Sequence, residues 1–452
     1  LAWRGNAGSV DAREHGRLEK SVGEQWGAVL MERAGMTTQS TTRREFLGQA
    51  GMGLAMAAVL PTARALGAND RIRIGLIGAG DRGMDDLKTA LAQPNVECVA
   101  IADIYSRRRD MAKQVVPHAT MYDDPMKLLE SKDVDAVINA TPLHLHTKYF
   151  VAALQAGKDL YSEKTMTWDI PGAVECKKAF AGSKQVVQIG LQHENSGELK
   201  DARQWIKDGK VGKVTSVDAW MSRNTPIGEG QWVRQVPSDC NPDHVNWKLF
   251  LDGRKAPEFD GFKYVNWRLF WEFSGGNVTE NMVHQVAWII TALDLDLPLA
   301  ASMMGGVFSE KDRRQVPDTI MVSLEYPDLL VNWQSTFSNS RYGLGEHFLG
   351  DKGTIQHVSG STDMVTGRSH SSITYMPEKV NNPEGAVLKG ESKDTDHMAN
   401  WFECIRDRKQ PNAPVEIGYK SAIAAHMSNL AFRQKRRITL DEAMAAPKEA
   451  YL

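Results

Sequence analysis

Gly78, Gly80 and Gly83 stand at the spacing G-x-G-x-x-G in Gly78-Ala79-Gly80-Asp81-Arg82-Gly83, directly after the apolar run Ile72-Arg73-Ile74-Gly75-Leu76-Ile77. Between a strand and a helix, the first glycine allows a tight turn and the second lets backbone approach a pyrophosphate. The third lets the helix pack close to the strand, and the helix N-terminus faces the anion. Asp81 and Arg82 lie inside that loop and belong to the same candidate site. Asp103 follows Gly83 by 20 residues, at the end of the apolar run Val96–Ala102, where an acid should hydrogen-bond the adenosine ribose hydroxyls. The chemistry is recognition of a dinucleotide. A carboxylate at this place favours NAD, while the neighbouring Arg107, Arg108 and Arg109 keep NADP open as the less favoured cofactor. Without a ligand, the same segments would read as a tight turn and a solvated helix face.

These residues need a scaffold. Strand and helix patterns alternate up to about residue 190, as in a doubly wound parallel sheet. Beyond it come half-buried strand alternations such as Val214-Thr215-Ser216-Val217-Asp218-Ala219-Trp220 and Thr319–Tyr326. A chain of 452 residues exceeds one core, since cores split beyond ~250 to 300 residues, so two folded domains are expected. An apolar share of 42% and a charged share of 24% exclude wholesale disorder. With 54 Lys and Arg against 56 Asp and Glu, the net charge of -2 offers no basic excess for a nucleic-acid backbone. Cys98, Cys176, Cys240 and Cys404 stand far apart and read as buried thiols.

Near the start, Thr41-Thr42-Arg43-Arg44-Glu45-Phe46-Leu47 leads into the apolar stretch Gly51–Leu60 and the small-residue site Ala63-Arg64-Ala65. Paired arginines, an apolar run shorter than the ~18 to 20 residues that span a bilayer, and a cleavage site together describe a twin-arginine signal peptide over residues 36–68. Gly48 stands where such signals often carry a lysine. The mature chain is then expected to be periplasmic or secreted, without stable membrane insertion. Residues 1–35 are expected to be disordered or to precede a true start at Met36. An ordinary helix start with two surface arginines is the plain alternative.

Two further segments carry a resemblance: Asp135-Ala136-Val137-Ile138-Asn139-Ala140-Thr141-Pro142-Leu143-His144-Leu145-His146, and Ala156-Gly157-Lys158-Asp159-Leu160-Tyr161-Ser162-Glu163-Lys164-Thr165. They resemble the glucose-fructose oxidoreductase, inositol dehydrogenase and MocA (Gfo/Idh/MocA) family, with its T-P-x-H-x-H loop and E-K-P strand end. The likeness continues through Val187–Gln192, Asn266-Trp267-Arg268, Ser274–Thr279 and Asn400–Ile405. It implies an N-terminal Rossmann domain, here 69–190, followed over 191–452 by an α/β domain whose large, mostly antiparallel open sheet walls the substrate cleft. It also implies that Thr141, Pro142, His144, His146, Glu163, Lys164 and Gln192 border the cofactor. Thr165 replaces the family proline, so the turn bearing Lys164 is expected to be held differently.

Family members carry an acid and a histidine spaced D-x-x-x-H on a helix of the second domain, and the matching segment here is Thr279-Glu280-Asn281-Met282-Val283-His284. Helical spacing would put Glu280 and His284 on one face, so that the carboxylate orients the ring or both reach the substrate. Hydride transfer needs a group that takes the hydroxyl proton and one that polarises the oxygen; a His and a Lys suit that pair. His284 is the expected proton acceptor, Lys164 the polarising partner and Glu280 their support. An exposed lysine, a core histidine and an acid–imidazole metal pair are the competing readings, the last lacking a third ligand. Ala287 stands where some members carry an additional acid, and His193 lies on a loop expected near the cleft. The stretch Arg223–Phe270 is expected to form a long excursion near the cleft, its tryptophans either stacking on a sugar or covering a small core of their own.

The resemblance implies an exported NAD(P)-dependent oxidoreductase acting on a sugar, polyol or glycoside, with tightly bound cofactor and a homo-oligomeric assembly. A redox-neutral, NAD-requiring glycoside hydrolase or lyase, similar to glycoside hydrolase family 109, is the second reading. A binding protein without turnover is the third.

Overall fold

The computed structural model describes residues 71–226, 229–255, 258–362 and 369–451; the expected signal segment and the residues before it lie outside them. The first domain is built from β1 (Ile72–Ile77), α1 (Asp81–Leu91), β2 (Val96–Ala102), α2 (Ser106–Val115), β3 (Thr120–Tyr122), α3 (Pro125–Leu129), β4 (Ala136–Asn139), α4 (His146–Gln155), β5 (Asp159–Ser162), α5 (Ile170–Ala181) and β6 (Val187–Ile189). Its six strands are parallel in the order β3-β2-β1-β4-β5-β6. Helices on both faces explain why β4, β5 and β6 are buried throughout. The order reverses between β1 and β4, which opens a crevice at the strand ends where the glycine loop sits.

The second domain begins with α6 (Gly197–Lys207) and β7 (Val214–Met221) and crosses an excursion holding α7 (Trp247–Leu251) and α8 (Gly261–Val265). It continues through a π-turn at Val278–Met282 and α9 (Val283–Leu293) to β8 (Ala300–Gly306), β9 (Thr319–Tyr326), β10 (Leu329–Thr336), β11 (Leu344–Gly350), β12 (Gly353–Thr362), β13 (Ser369–Pro377) and β14 (Leu388–Lys389). After α10 (His397–Asp407) and α11 (Val415–Gln434), β15 (Ile438–Thr439) and α12 (Leu440–Met444) complete it. The sheet order is β14-β13-β12-β11-β7-β10-β9-β8-β15, antiparallel except where β7 and β10 run parallel. Residues of β10 alternate buried and accessible, so one face packs on α9 and α11 while the other carries exposed Met304 and Met321 from β8 and β9.

The division at residue 190 separates the two sheets but not the two cores. Helix α10 returns to the first domain, burying Met398, Trp401, Phe402 and Ile405 among Ile74, Leu76, Ile101 and Ile138. Strand-by-strand reading cannot see this, because the apolar face of a helix does not say which sheet it covers. All four cysteines are buried free thiols.

Candidate active site

Loop geometry at the β1 turn explains each glycine. Gly78 has φ +91°, and a Cβ there would lie 2.7 Å from the Ala140 carbonyl oxygen. At Gly83 a Cβ would lie 2.0 Å from the Gly78 carbonyl oxygen, so only glycine lets α1 pack this close to the turn. Around Gly80 a Cβ would meet nothing within 4 Å among the described residues, which is open cradle on the cleft side of the helix N-terminus. The cradle therefore fits a pyrophosphate. Buried Asp103 ties the end of β2 to this loop, accepting from the Ala79 N–H at 2.8 Å and the Tyr105 N–H at 2.9 Å. Burial raises its carboxyl pKa against those two donors.

Of the residues expected to hold the cofactor, Gly78, Gly80, Asp81, Arg82, Asp103, Thr141, Pro142, His146, Glu163, Lys164 and Gln192 line one cleft of about 420 Å³, which Glu280 and His284 also line. Gly83 stands behind the cradle as a packing contact. Arg107 and Arg108 reach the cleft, whereas Arg109 turns back to donate to the Asp103 carbonyl at 2.7 Å.

His144 is a correction. The short turn Leu143–Leu145 sends His146 toward the cleft and His144 into the excursion, where its Nε2 meets the Phe250 carbonyl at 2.6 Å and its ring packs against Phe250 and Phe273. Burial, reinforced by Arg254, holds that ring neutral. His146 instead bridges two loops through the Thr141 carbonyl at 2.9 Å and the Thr165 carbonyl at 2.7 Å, fixing the turn that carries Lys164. The Lys164–Thr165 peptide is cis, and the buried Thr165 hydroxyl donates to the Thr279 carbonyl at 2.5 Å. A side-chain bond across the domains thus holds the turn that lacks the family proline.

Of the two expectations for Glu280, the structure departs from ring orientation, while both Glu280 and His284 line the cleft. Residues 278–282 form a π-turn, with i→i+5 bonds and more residues per turn than an α-helix, and among the described residues the Glu280 carboxylate bonds Lys164 and Arg268 and not the His284 ring. It meets Lys164 Nζ at 3.2 Å and Arg268 Nε at 3.1 Å, and Lys164 Nζ also donates to the Glu280 carbonyl at 2.9 Å. Burial alone would raise the Glu280 carboxyl pKa, but Lys164 and Arg268 hold it below the ordinary value. His284 sits with its ring centre 5.3 Å from that of His193, and among the described residues its Nδ1 has no hydrogen-bond partner. Burial and the nearby Lys164 charge keep its pKa well below the ordinary 6.5, so the imidazole is neutral near neutral pH. Among the described residues, no group of three His, Cys, Asp or Glu side chains could hold a metal ion.

Sequence reasoning gave no role to Arg268, which also stacks over Trp267 at 4.2 Å. Its place in the quoted Asn266-Trp267-Arg268 segment was the available signal. Glu163 is a second junction, with Arg82 Nη2 at 2.8 Å and Gln192 Nε2 at 3.2 Å from its Oε1. The excursion's aromatics build a core of their own around Phe250, Leu269, Phe270 and Phe273, with Trp267 reaching the cleft.

A Rossmann crevice with a pyrophosphate cradle, opposite a lysine–acid–histidine corner, defines a class of nicotinamide-dependent oxidoreductases. The chain belongs to the Gfo/Idh/MocA oxidoreductase family: residues 72–191 match its NAD-binding Rossmann fold and residues 253–440 its C-terminal alpha/beta domain. Inositol 2-dehydrogenase of Rhodococcus jostii (strain RHA1) is 30% identical over 150 residues, 33% of this chain and 41% of that protein. A glycosyl hydrolase family 109 protein of Stenotrophomonas maltophilia (strain K279a) is 36% identical over 126 residues, 25% of this chain and 28% of that protein. Each match thus spans less than half of the curated relative's own length. Aldose-aldose oxidoreductase from Caulobacter crescentus, solved with glycerol, shares the fold with a TM-score of 0.61 at 17% identity, over 82% of this chain and 99% of that one. WlbA dehydrogenase from Bordetella pertussis, solved with NADH and UDP-GlcNAcA, does so with a TM-score of 0.60 at 19% identity, over 82% and 98%.

Proposed function

We propose that the protein oxidises a sugar, polyol or glycoside by hydride transfer to a tightly held nicotinamide dinucleotide. The observation that carries this reading is Lys164, Glu280 and His284 lining the same cleft as the glycine cradle. The bound nicotinamide supplies the hydride acceptor. Neutral His284 takes the hydroxyl proton, and Lys164, steered by Glu280, polarises the oxygen. Relatives named for inositol and aldose chemistry support a polyhydroxylated substrate. Asp103 at the end of β2 favours NAD over NADP, although Arg107 and Arg108 stand close by.

The residues 36–68 signal supports export by the twin-arginine route, which carries folded proteins. A retained cofactor outside the cytoplasm must be returned to its starting state, by a second substrate or within one reaction. The family 109 relative favours the second reading, in which a sugar is oxidised, eliminated, hydrated and reduced again. The exposed methionines of the large sheet support contact there between copies of this chain.

The test is to denature the purified mature protein, measure its released dinucleotide, and incubate the intact enzyme with free sugars, polyols and para-nitrophenyl glycosides. Bound dinucleotide reduced by a sugar without freed aglycone supports the oxidoreductase. Aglycone release without net reduction shifts the assignment to the redox-neutral hydrolase, and a protein that binds no dinucleotide refutes both.

A further inference from the structure

Residues of the excursion, Arg234, Gln235 and Pro237 among them, line the cofactor cleft, and the segment is fastened on both sides. On the second-domain side, Arg314 Nη2 donates to the Gln231 carbonyl at 2.9 Å and Trp232 packs edge-on against Phe337. Buried Asn266 grips the backbone of Arg234 twice, accepting from its N–H at 2.6 Å and donating to its carbonyl at 3.1 Å. On the Rossmann side the chain pairs with the turn that follows Asp103. The Ser106 N–H donates to the His244 carbonyl and the Asn246 N–H to the Ile104 carbonyl, both at 3.0 Å, around a Tyr105–Val245 bridge. Asp239 accepts from the Tyr105 hydroxyl at 2.7 Å and pairs with Arg107 at 3.4 Å. Further along, Asp252 pairs with Lys148 at 2.9 Å.

Between these fastenings the Arg234 side chain enters the cleft beside Gly78 and Gly80. Its Nε lies 3.1 Å from Asp81, the first residue of α1, and that carboxylate is shared with Arg108 at 2.8 Å. Arg268 faces the same guanidinium, and burial together with this like charge lowers the Arg234 pKa. Arginines crowded on one shared acid at a helix N-terminus suit a pyrophosphate, which carries one negative charge on each of its two phosphates.

We propose that residues 231–252 are a clasp over the pyrophosphate and adenosine half of the dinucleotide, with Arg234 delivered from the second domain as a phosphate ligand. The proposal rests on the dinucleotide-dependent function above and adds the means of retention. A cofactor held from the Rossmann side alone could leave along the crevice. Here it leaves only when contacts on both sides of the cleft let go, so the dissociation rate is set by the clasp.

The test uses the mature enzyme loaded with labelled NAD and chased with excess unlabelled NAD, reading the dissociation rate. Arg234→Gln should speed loss by about 10-fold or more, as expected for a lost charge-assisted phosphate contact. Asp239→Asn, which loosens the far fastening without touching the cradle, should speed it by a smaller factor. Both should keep the wild-type thermal midpoint. Wild-type dissociation in Arg234→Gln overturns the clasp. So does unchanged dissociation with a raised KM for an acidic sugar, which would assign the arginine to the substrate. A wild-type protein that binds no NAD overturns the clasp and the proposed function together, whereas tight wild-type binding untouched by Arg234→Gln removes the clasp alone.

Discussion

The cradle at the β1 turn and the corner around Lys164 share one cleft but are made of different materials. In the cradle, Gly78, Gly80 and Gly83 act by what they lack: room for a positive φ, open space for an anion, and a close helix packing. All of it lies within six consecutive residues, with Asp103 fastening the loop from the next strand. The corner is built from side chains of three distant segments, the β5 end, the excursion and the π-turn, held by charge and by the Thr165 hydroxyl. A cradle of backbone should resist polar substitutions and fail on added volume. A corner of paired charges should do the reverse.

The largest effect separates the two cleanly. Lys164→Ala should lower turnover by about 10²- to 10⁴-fold, the usual range for a positioned acid–base group, while dinucleotide content after purification stays at the wild-type level. Adding one methyl group at Gly83 attacks the other side. The Cβ would collide with the Gly78 carbonyl, and relief of such overpacking costs about 1–3 kcal/mol, so Gly83→Ala should weaken dinucleotide binding by roughly 10- to 100-fold in titration calorimetry.

Glu280→Gln should reduce kcat by about 10-fold with dinucleotide affinity preserved, because it frees Lys164 and Arg268 without touching the cradle. The Glu280 carboxyl has a folded pKa below the ordinary 4.5, so its stabilisation is present above that pH and is lost as pH falls through the folded value. The substitution should therefore remove an acid-side loss of stability in urea melts. His284, neutral at the pH of catalysis, should leave kcat/KM flat above 6.5 on the acid side; an acid limb centred at or above 6.5 would contradict its assignment as base.

The smallest effect belongs to Asp86, which pairs with Arg82 at 2.8 Å behind the cradle. Burial and Glu163 push its carboxyl up to about 8, against the pull of Arg82. The folded pKa is raised, so the contribution to stability is greatest below the unfolded value of 3.8 and is lost as pH rises through about 8. Asp86→Asn should flatten that decline, visible as at least about 1.4 kcal/mol less difference between urea melts at about pH 5 and about pH 9.

This contrast also explains what the sequence could reveal. The cradle was legible because a contiguous motif between strand and helix is local geometry written in glycines. The doubly wound order and the mostly antiparallel second sheet were legible from periodicity and resemblance. Lys164 and His284 were legible as residues, but the partner of Glu280 was not, since nothing local announces that residues 278–282 widen into a π-turn. His144 and His146 are two apart in one turn and face opposite ways, a distinction that only the packing of Phe250 and Phe273 decides. The return of α10 to the first domain and the reach of Arg234 into the cleft are long-range contacts with no local signature.

The most direct test of the account is a rapid-mixing experiment with no added cofactor, following absorbance of the reduced nicotinamide when purified wild-type and Lys164→Ala enzymes meet a panel of sugars and polyols. In the wild type one enzyme equivalent of resident dinucleotide should be reduced, and in the variant, carrying the same dinucleotide, reduction should be slower by about 10²-fold or more. Equal reduction rates in the two proteins, or a wild-type enzyme without resident dinucleotide, would contradict it.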